Sequence, residues 1–273
     1  MSKSLGACNK IVNHMKTQKI FVINLLLLLF FSKCNNNITD SEQNEFSILP
    51  LEGKINFVIS EFHFCNDSTC LPQTTLFLRT EHVYSNCNNS IESKLSIDKD
   101  EINLSIQGII VPKIHFTAIG VASHSIKMNI KPGNYTFNVT YADKKDSYLL
   151  SVTDSSFHIN GDEKSFTKPI YNDVWRYKEN SFVYKCQKHS LNDSCDCSDF
   201  YDVLKSLDFI REFFYPPYGK SPYQTLSSYD YIMPLKYFFY NNESDFDSVA
   251  KELELFPNRD GIRLKNWLNI NYH

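Results

Sequence analysis

The chain has 273 residues, with 28 Lys and Arg against 31 Asp and Glu, a formal net charge of −3. Residues 1–33 hold five lysines and no acid, so the remainder carries 28 − 5 = 23 bases against 31 acids, a net of −8. A surface that acidic repels phosphate backbones and anionic lipid heads, which argues against nucleic acid as a partner.

The first fourteen residues read as an upstream extension, and Met15 is the natural start of an export signal. Lys16 and Lys19 precede an apolar run from Ile20 to Phe31. That run is too short for a bilayer core of ~30 Å, which needs ~20 apolar residues, but it suits a signal h-region. Its end, Phe31-Ser32-Lys33-Cys34, resembles the lipobox of bacterial lipoproteins, departing from it at Lys33, where that family has a small residue. The resemblance implies that Cys34 is acylated and becomes the first residue of an exported protein held to the cell envelope by its lipid. Residues 1–33 are therefore assigned to the signal and its extension. Residues 34–50, rich in Asn and acid, read as a flexible tether.

Residues 51–168 read as one domain, with a period of two from Lys54 to Ile159. Ile55, Phe57 and Ile59 alternate with their neighbours, as do Leu76 and Leu78, then Ile102, Leu104 and Ile106, and the runs Tyr135–Tyr141 and Tyr148–Val152. Such alternation marks strands with one face on a core. Turn residues such as Lys131-Pro132-Gly133-Asn134 separate them, and no helical pattern intervenes. The fold class expected is mainly β with α: an antiparallel β-sandwich followed by a small C-terminal helical region. The heptapeptide Lys131-Pro132-Gly133-Asn134-Tyr135-Thr136-Phe137 resembles the entry to a late strand of immunoglobulin-like sandwiches. That resemblance implies a Tyr135 hydroxyl tied back to the backbone, with Phe137 standing where antibody domains have a Cys.

Residues 169–273 change character. Phe200, Val203, Leu204, Leu207, Ile210 and Phe214 recur at helical spacing after Ser198, an expected N-cap. Ser244 is expected to cap a second helix, Asp245 to Phe256, with Phe246, Val249, Leu253 and Phe256 on one face. A third short helix is expected over Asp260 to Ile270.

With Cys8 in the discarded segment and Cys34 carrying lipid, Cys65, Cys70, Cys87, Cys186, Cys195 and Cys197 remain as disulfide candidates. An even set in an exported chain reads as a disulfide framework. Three fall in each region, so complete pairing requires at least one bridge between them. Cys186, His189, Cys195 and Cys197 could in principle wrap a zinc ion, but their spacing fits no common zinc module and the oxidising compartment favours disulfides. No metal or cofactor is assigned.

No catalytic motif emerges, and no catalytic residue is assigned. Glu61 and His63 share one face of a strand and read as a solvated pair. The stiff Tyr/Pro segment 213–223 offers Tyr215, Tyr218 and Tyr223 as a contact surface for a protein or glycan partner, with Phe213 and Phe214 as its buried base. Against this stands the reading that these rings are simply core. Eight N-x-S/T sequons keep open a eukaryotic secreted glycoprotein with a structural role. An exported hydrolase with unrecognised catalytic residues is a further alternative. The reading adopted is a lipid-anchored envelope protein acting as a non-enzymatic binding or assembly module.

Overall fold

The alternating segments fold as their period requires. In the computed structural model they form β2 (Ile55–His63), β3 (Pro72–Tyr84), β4 (Ser90–Asp98), β5 (Glu101–Val111), β6 (Gly120–Lys127), β7 (Gly133–Tyr141), β8 (Lys144–Val152) and β9 (Ser156–Asn160). Three short strands frame them: β1 (Ser47–Leu49), β10 (Thr167–Pro169) and β11 (Asp173–Trp175). The structure describes residues 47–64, 70–113, 116, 118–186, 197–223, 234–257, 259 and 261–272. The export signal, Cys34, most of the tether, Cys65, His189 and Cys195 lie outside the described residues. Inward residues named by the alternation, among them Ile55, Phe57, Leu76, Leu104, Phe137 and Leu150, are buried in one core.

Hydrogen bonds join the eleven strands into a single sheet, ordered β10-β2-β3-β6-β4-β5-β7-β8-β9-β11, with β1 added on β5. The joint between β6 and β4 is one parallel pair, Ser90 with Ser123. The two end strands, β10 and β11, are consecutive in the chain with only residues 170–172 between them. Four residue steps reach at most about 14 Å, so the two edges lie close together and the sheet must curl. The result is a curled half-barrel, not the pair of separately bonded sheets that the sequence led us to expect. Phe57 on β2 meets Phe137 on β7 and Tyr148 on β8 edge-on, with ring centroids 5.3 and 5.1 Å apart, across its interior.

Asp146 holds the seam. Its carboxylate, on β8, accepts from Ser165 N and Oγ at 3.2 and 2.8 Å and from Phe166 N at 3.1 Å. It also accepts from Thr167 N and Oγ1 at 2.9 and 2.7 Å. Burial alone pushes this carboxyl up, but the hydrogen bonds from Thr167, Phe166 and Ser165 outweigh that and hold it below its ordinary value. The Tyr148 hydroxyl adds a bond to Thr167 O at 3.1 Å. Because β10 pairs with β2, this cluster fastens β8 to the opposite edge of the sheet. The expected corner tie also forms: Tyr135 Oη donates to Lys131 O at 2.9 Å.

The C-terminal region departs further from expectation. A five-stranded sheet runs β13 (Ile210–Phe213), β14 (Lys236–Tyr240), β12 (Ser181–Cys186), β15 (Ile262–Asn266), β16 (Asn271–Tyr272), and among the described residues two helices accompany it, α1 (Cys197–Ser206) and α2 (Glu243–Leu255). Helix α1 starts one residue before the expected cap Ser198 and stops at Ser206. Beyond it Ile210–Phe213 is extended and pairs with β14, so Ile210 leaves the helical stripe and Phe214 is 72% exposed. Helix α2 is capped by Asn242, not Ser244, through a reciprocal box with Asp245. Its predicted stripe holds, with Phe246, Val249 and Leu253 buried. The third expected helix is strand β15: Ile262 and Leu264 lie two apart and both point at the helices.

Cys186 and Cys197 form a disulfide that ties the end of β12 to the start of α1. Cys70 is also disulfide-bonded, whereas Cys87 is an exposed free thiol. Complete pairing of the six candidates therefore does not occur, and with it goes the parity argument that required a bridge between the two regions. Cys186 and Cys197 are equally unable to serve as zinc thiolates.

Candidate functional site

The two faces of the C-terminal sheet have different neighbours. Phe182, Tyr184, Phe238, Tyr240, Ile262 and Leu264 pack on α1 and α2 in a core of their own. Antiparallel register then fixes what the opposite face carries. Val183 stands across from Lys265 and Tyr237, and Lys185 across from Arg263. Lys185, Arg263 and Lys265 thus share one face on neighbouring strands, Lys185 and Lys265 as diagonal neighbours about 7–8 Å apart at the backbone.

That face borders a cleft whose other wall is the curled sheet. Val58, Ser60, Glu61, Phe62 and His63 of β2 line it, with Tyr171, Val174 and Tyr177 from the segment after β10. Lys185, Lys265 and Asn269 contribute from the C-terminal sheet, and Lys220, Ser221, Pro222 and Tyr223 close one side. The space is about 250 Å³, slightly under the ~300–1,000 Å³ of pockets that take drug-sized ligands. It suits a small molecule.

The walls are held by specific bonds. Glu61 is buried and accepts from Arg176 Nε and Tyr177 N, both at 2.7 Å. Arg176 also donates to Thr153 O at 3.0 Å and lies over the Phe157 ring. Tyr177 Oη donates to Pro222 O at 3.0 Å, and Tyr215 Oη to Arg176 O at 3.1 Å. His63 Nε2 donates to Trp267 O at 2.6 Å. The solvated Glu61–His63 pair expected from the strand pattern is therefore corrected: both residues are structural links between β2 and later segments.

The electrostatics of the cleft run opposite to the acidic surface. Burial, and secondarily Lys265, pushes the Lys185 ammonium down to about 8. Burial also lowers Lys265 and Lys220. Burial and Lys265 together bring His63 below its ordinary value, partly opposed by the Trp267 carbonyl. Among the described residues Glu61 is the only carboxylate that lines the cleft, and it is committed to Arg176. Lys185 donates to Tyr223 O at 3.2 Å. Among the described residues neither Lys185 nor Lys265 has a carboxylate within ion-pairing distance.

The structure separates the three tyrosines picked out in the sequence. Tyr223 is 3% exposed, with its hydroxyl on Ser181 O and its ring against Tyr177 and Tyr237. Tyr215 is half-buried against Phe213 and Tyr237. Only Tyr218 is well exposed, edge-on to Trp175, whose Nε1 donates to Pro216 O at 3.1 Å. A platform of three exposed rings does not form, because the loop folds back onto Trp175 and the C-terminal sheet. Gly219 makes this close approach work, since a Cβ there would collide with the Trp175 indole. The cleft lysines escaped the sequence reading; the period-two run Ile262-Arg263-Leu264-Lys265 was the signal for them.

No protein-family model, curated protein or solved structure matches this chain.

Proposed function

We propose that this protein is an exported, lipid-tethered envelope module that binds a small anionic molecule with an apolar or aromatic body in the cleft between its two sheets. The observation that carries this reading is the pair Lys185 and Lys265, adjacent on one sheet face, desolvated, and without a carboxylate partner among the described residues. Two half-buried like charges side by side are unfavourable, and an anion that joins them relieves the repulsion. Strongly perturbed titratable groups in a concave site are a physical signature of function. The apolar lining from Val58, Phe62, Tyr171 and Tyr177 favours a ligand body that is not a bare ion.

Other features support the setting. The Cys186–Cys197 bridge suits an oxidising compartment. Among the described residues no helix is long and apolar enough to cross a membrane. The sequon residues Asn138 and Asn103 are bonded to each other at 3.0 Å, with Asn138 buried, which argues against glycans at these two positions, while Asn134 is exposed. The Tyr135 tie is the feature that supports an immunoglobulin-like reading of the curled sheet.

Benzoate and phenyllactate should raise the melting temperature of wild type. At a hundredfold excess over Kd the gain is about 2.7 kcal/mol, or roughly 5–10 °C for a unit of this size. The double substitution Lys185→Met with Lys265→Met should melt no lower than unliganded wild type and lose the response. A double variant that still responds fully would sink the assignment. For the tether, Cys34→Ser should abolish incorporation of labelled palmitate and release the protein from membranes. A wild type that takes up no label would overturn it.

A further inference from the structure

We propose that Lys185 is a nucleophilic amine that captures an α-oxo carboxylate in the cleft as a covalent imine. This rests on the anion-binding reading above and adds a reaction to it. Three aspects of the geometry bring it about. Lys185 lines the cleft with its Nζ held by a single backbone acceptor, Tyr223 O at 3.2 Å, so the amine keeps capacity to turn toward a ligand. Lys265 is its diagonal neighbour and Arg263 its cross-strand partner on the same face. A carboxylate seated on Lys265 would place an α-carbonyl, one bond away, beside the neighbouring amine. Finally, His63 also lines the cleft; with Nε2–H given to Trp267 O, its neutral ring keeps Nδ1 as a proton acceptor.

The step balances without an oxidant or reductant. The lone pair of the neutral amine attacks the carbonyl carbon, and the C=O pair moves to oxygen, which takes a proton from nitrogen. The resulting hydroxyl takes back the proton that the ammonium released on becoming the free amine and leaves as water while nitrogen forms the C=N bond. Net, an ammonium and an oxo acid give a protonated imine and one water, and the ligand carboxylate compensates the iminium charge. Desolvation and adjacent cations are the established means by which a lysine is made nucleophilic at neutral pH, and burial with Lys265 lowers this one. The charged groups facing it are Lys265, Arg263, Lys220, His63 and the Arg176-bound Glu61.

The test is reductive trapping on the full chain at neutral pH, with phenylpyruvate and cyanoborohydride, followed by peptide mapping. Phenyllactate, which has the carboxylate and ring but no carbonyl, serves in parallel melts. Labelling at Lys185 should exceed that at the average lysine by at least on the order of ten-fold, since it combines a larger neutral fraction with a neighbouring carboxylate anchor. Lys185→Arg, which keeps the positive charge but has no primary amine to form an imine, should lose the label. Lys265→Met, which removes the carboxylate anchor and leaves the amine, should lose most of both. A melting shift with phenyllactate but label spread evenly over surface lysines would overturn the imine and leave the anion site standing. No shift with either compound would overturn both.

Discussion

Asp146→Ala is expected to lower the melting temperature by about 8–16 °C, the consequence of losing about 4 kcal/mol in a unit of this size. The side chain is nearly inaccessible and accepts five hydrogen bonds from Ser165, Phe166 and Thr167. Alanine leaves three backbone N–H groups without their acceptor, each costing about 1–3 kcal/mol when buried. It also unfastens β8 from β10, so the curled sheet should open at its seam. Asp146→Asn, of the same shape, presents an amide N–H to donors and should cost about half as much. The pH dependence has a fixed sign. Because the folded-state pKa is depressed, this carboxylate contributes fully above its unfolded value of about 3.9 and its contribution is lost as pH falls below that. Thermal melts between pH 2 and 6 should show a shallower acid limb for Asp146→Asn than for wild type.

Glu61→Gln comes second. The carboxylate is 4% exposed and its partner Arg176 25% exposed, with Nε to Oε1 at 2.7 Å. Removing one partner of a buried pair costs about 3–5 kcal/mol; partial solvation of Arg176 places this case near 2–3 kcal/mol, or roughly 5–10 °C. Glutamine can still accept from Tyr177 N but cannot neutralise Arg176. The change also makes the cleft more positive. Benzoate should therefore bind the folded variant at least as tightly as wild type, a combination of lost stability and kept affinity that a general unfolding effect would not produce. Chemical denaturation paired with a ligand melt reads both.

The sheet was legible where one periodicity acted alone. Ile102, Leu104 and Ile106 face a core and their neighbours do not, so alternation named the buried face of β5 directly. Curling was not legible, since it arises from β10 and β11 joining opposite edges through residues 170–172, a long-range fact that local pattern does not carry. The C-terminal errors have a common cause. Ile210 continues a helical spacing from Leu207, yet pairing with Tyr240 on β14 draws it into a strand, tertiary context overriding local preference. Ile262 and Leu264 are two apart and should have indicated a strand; reading them as a helix hid the fact that Arg263 and Lys265 share the other face. Glu61 and His63 were correctly placed together but given to solvent, because nothing near them in sequence shows that Arg176 and Trp267 reach back to cover them.

A crystal soaked with 4-bromobenzoate shows directly whether an anion sits between Lys185 and Lys265. An anomalous bromine peak is expected inside the cleft with the carboxylate within hydrogen-bonding distance of both ammonium groups. That peak should be lost in the Lys185→Met, Lys265→Met protein. A cleft that stays free of the ligand at concentrations that saturate the thermal response, or a peak only on the outer surface, would contradict the anion site.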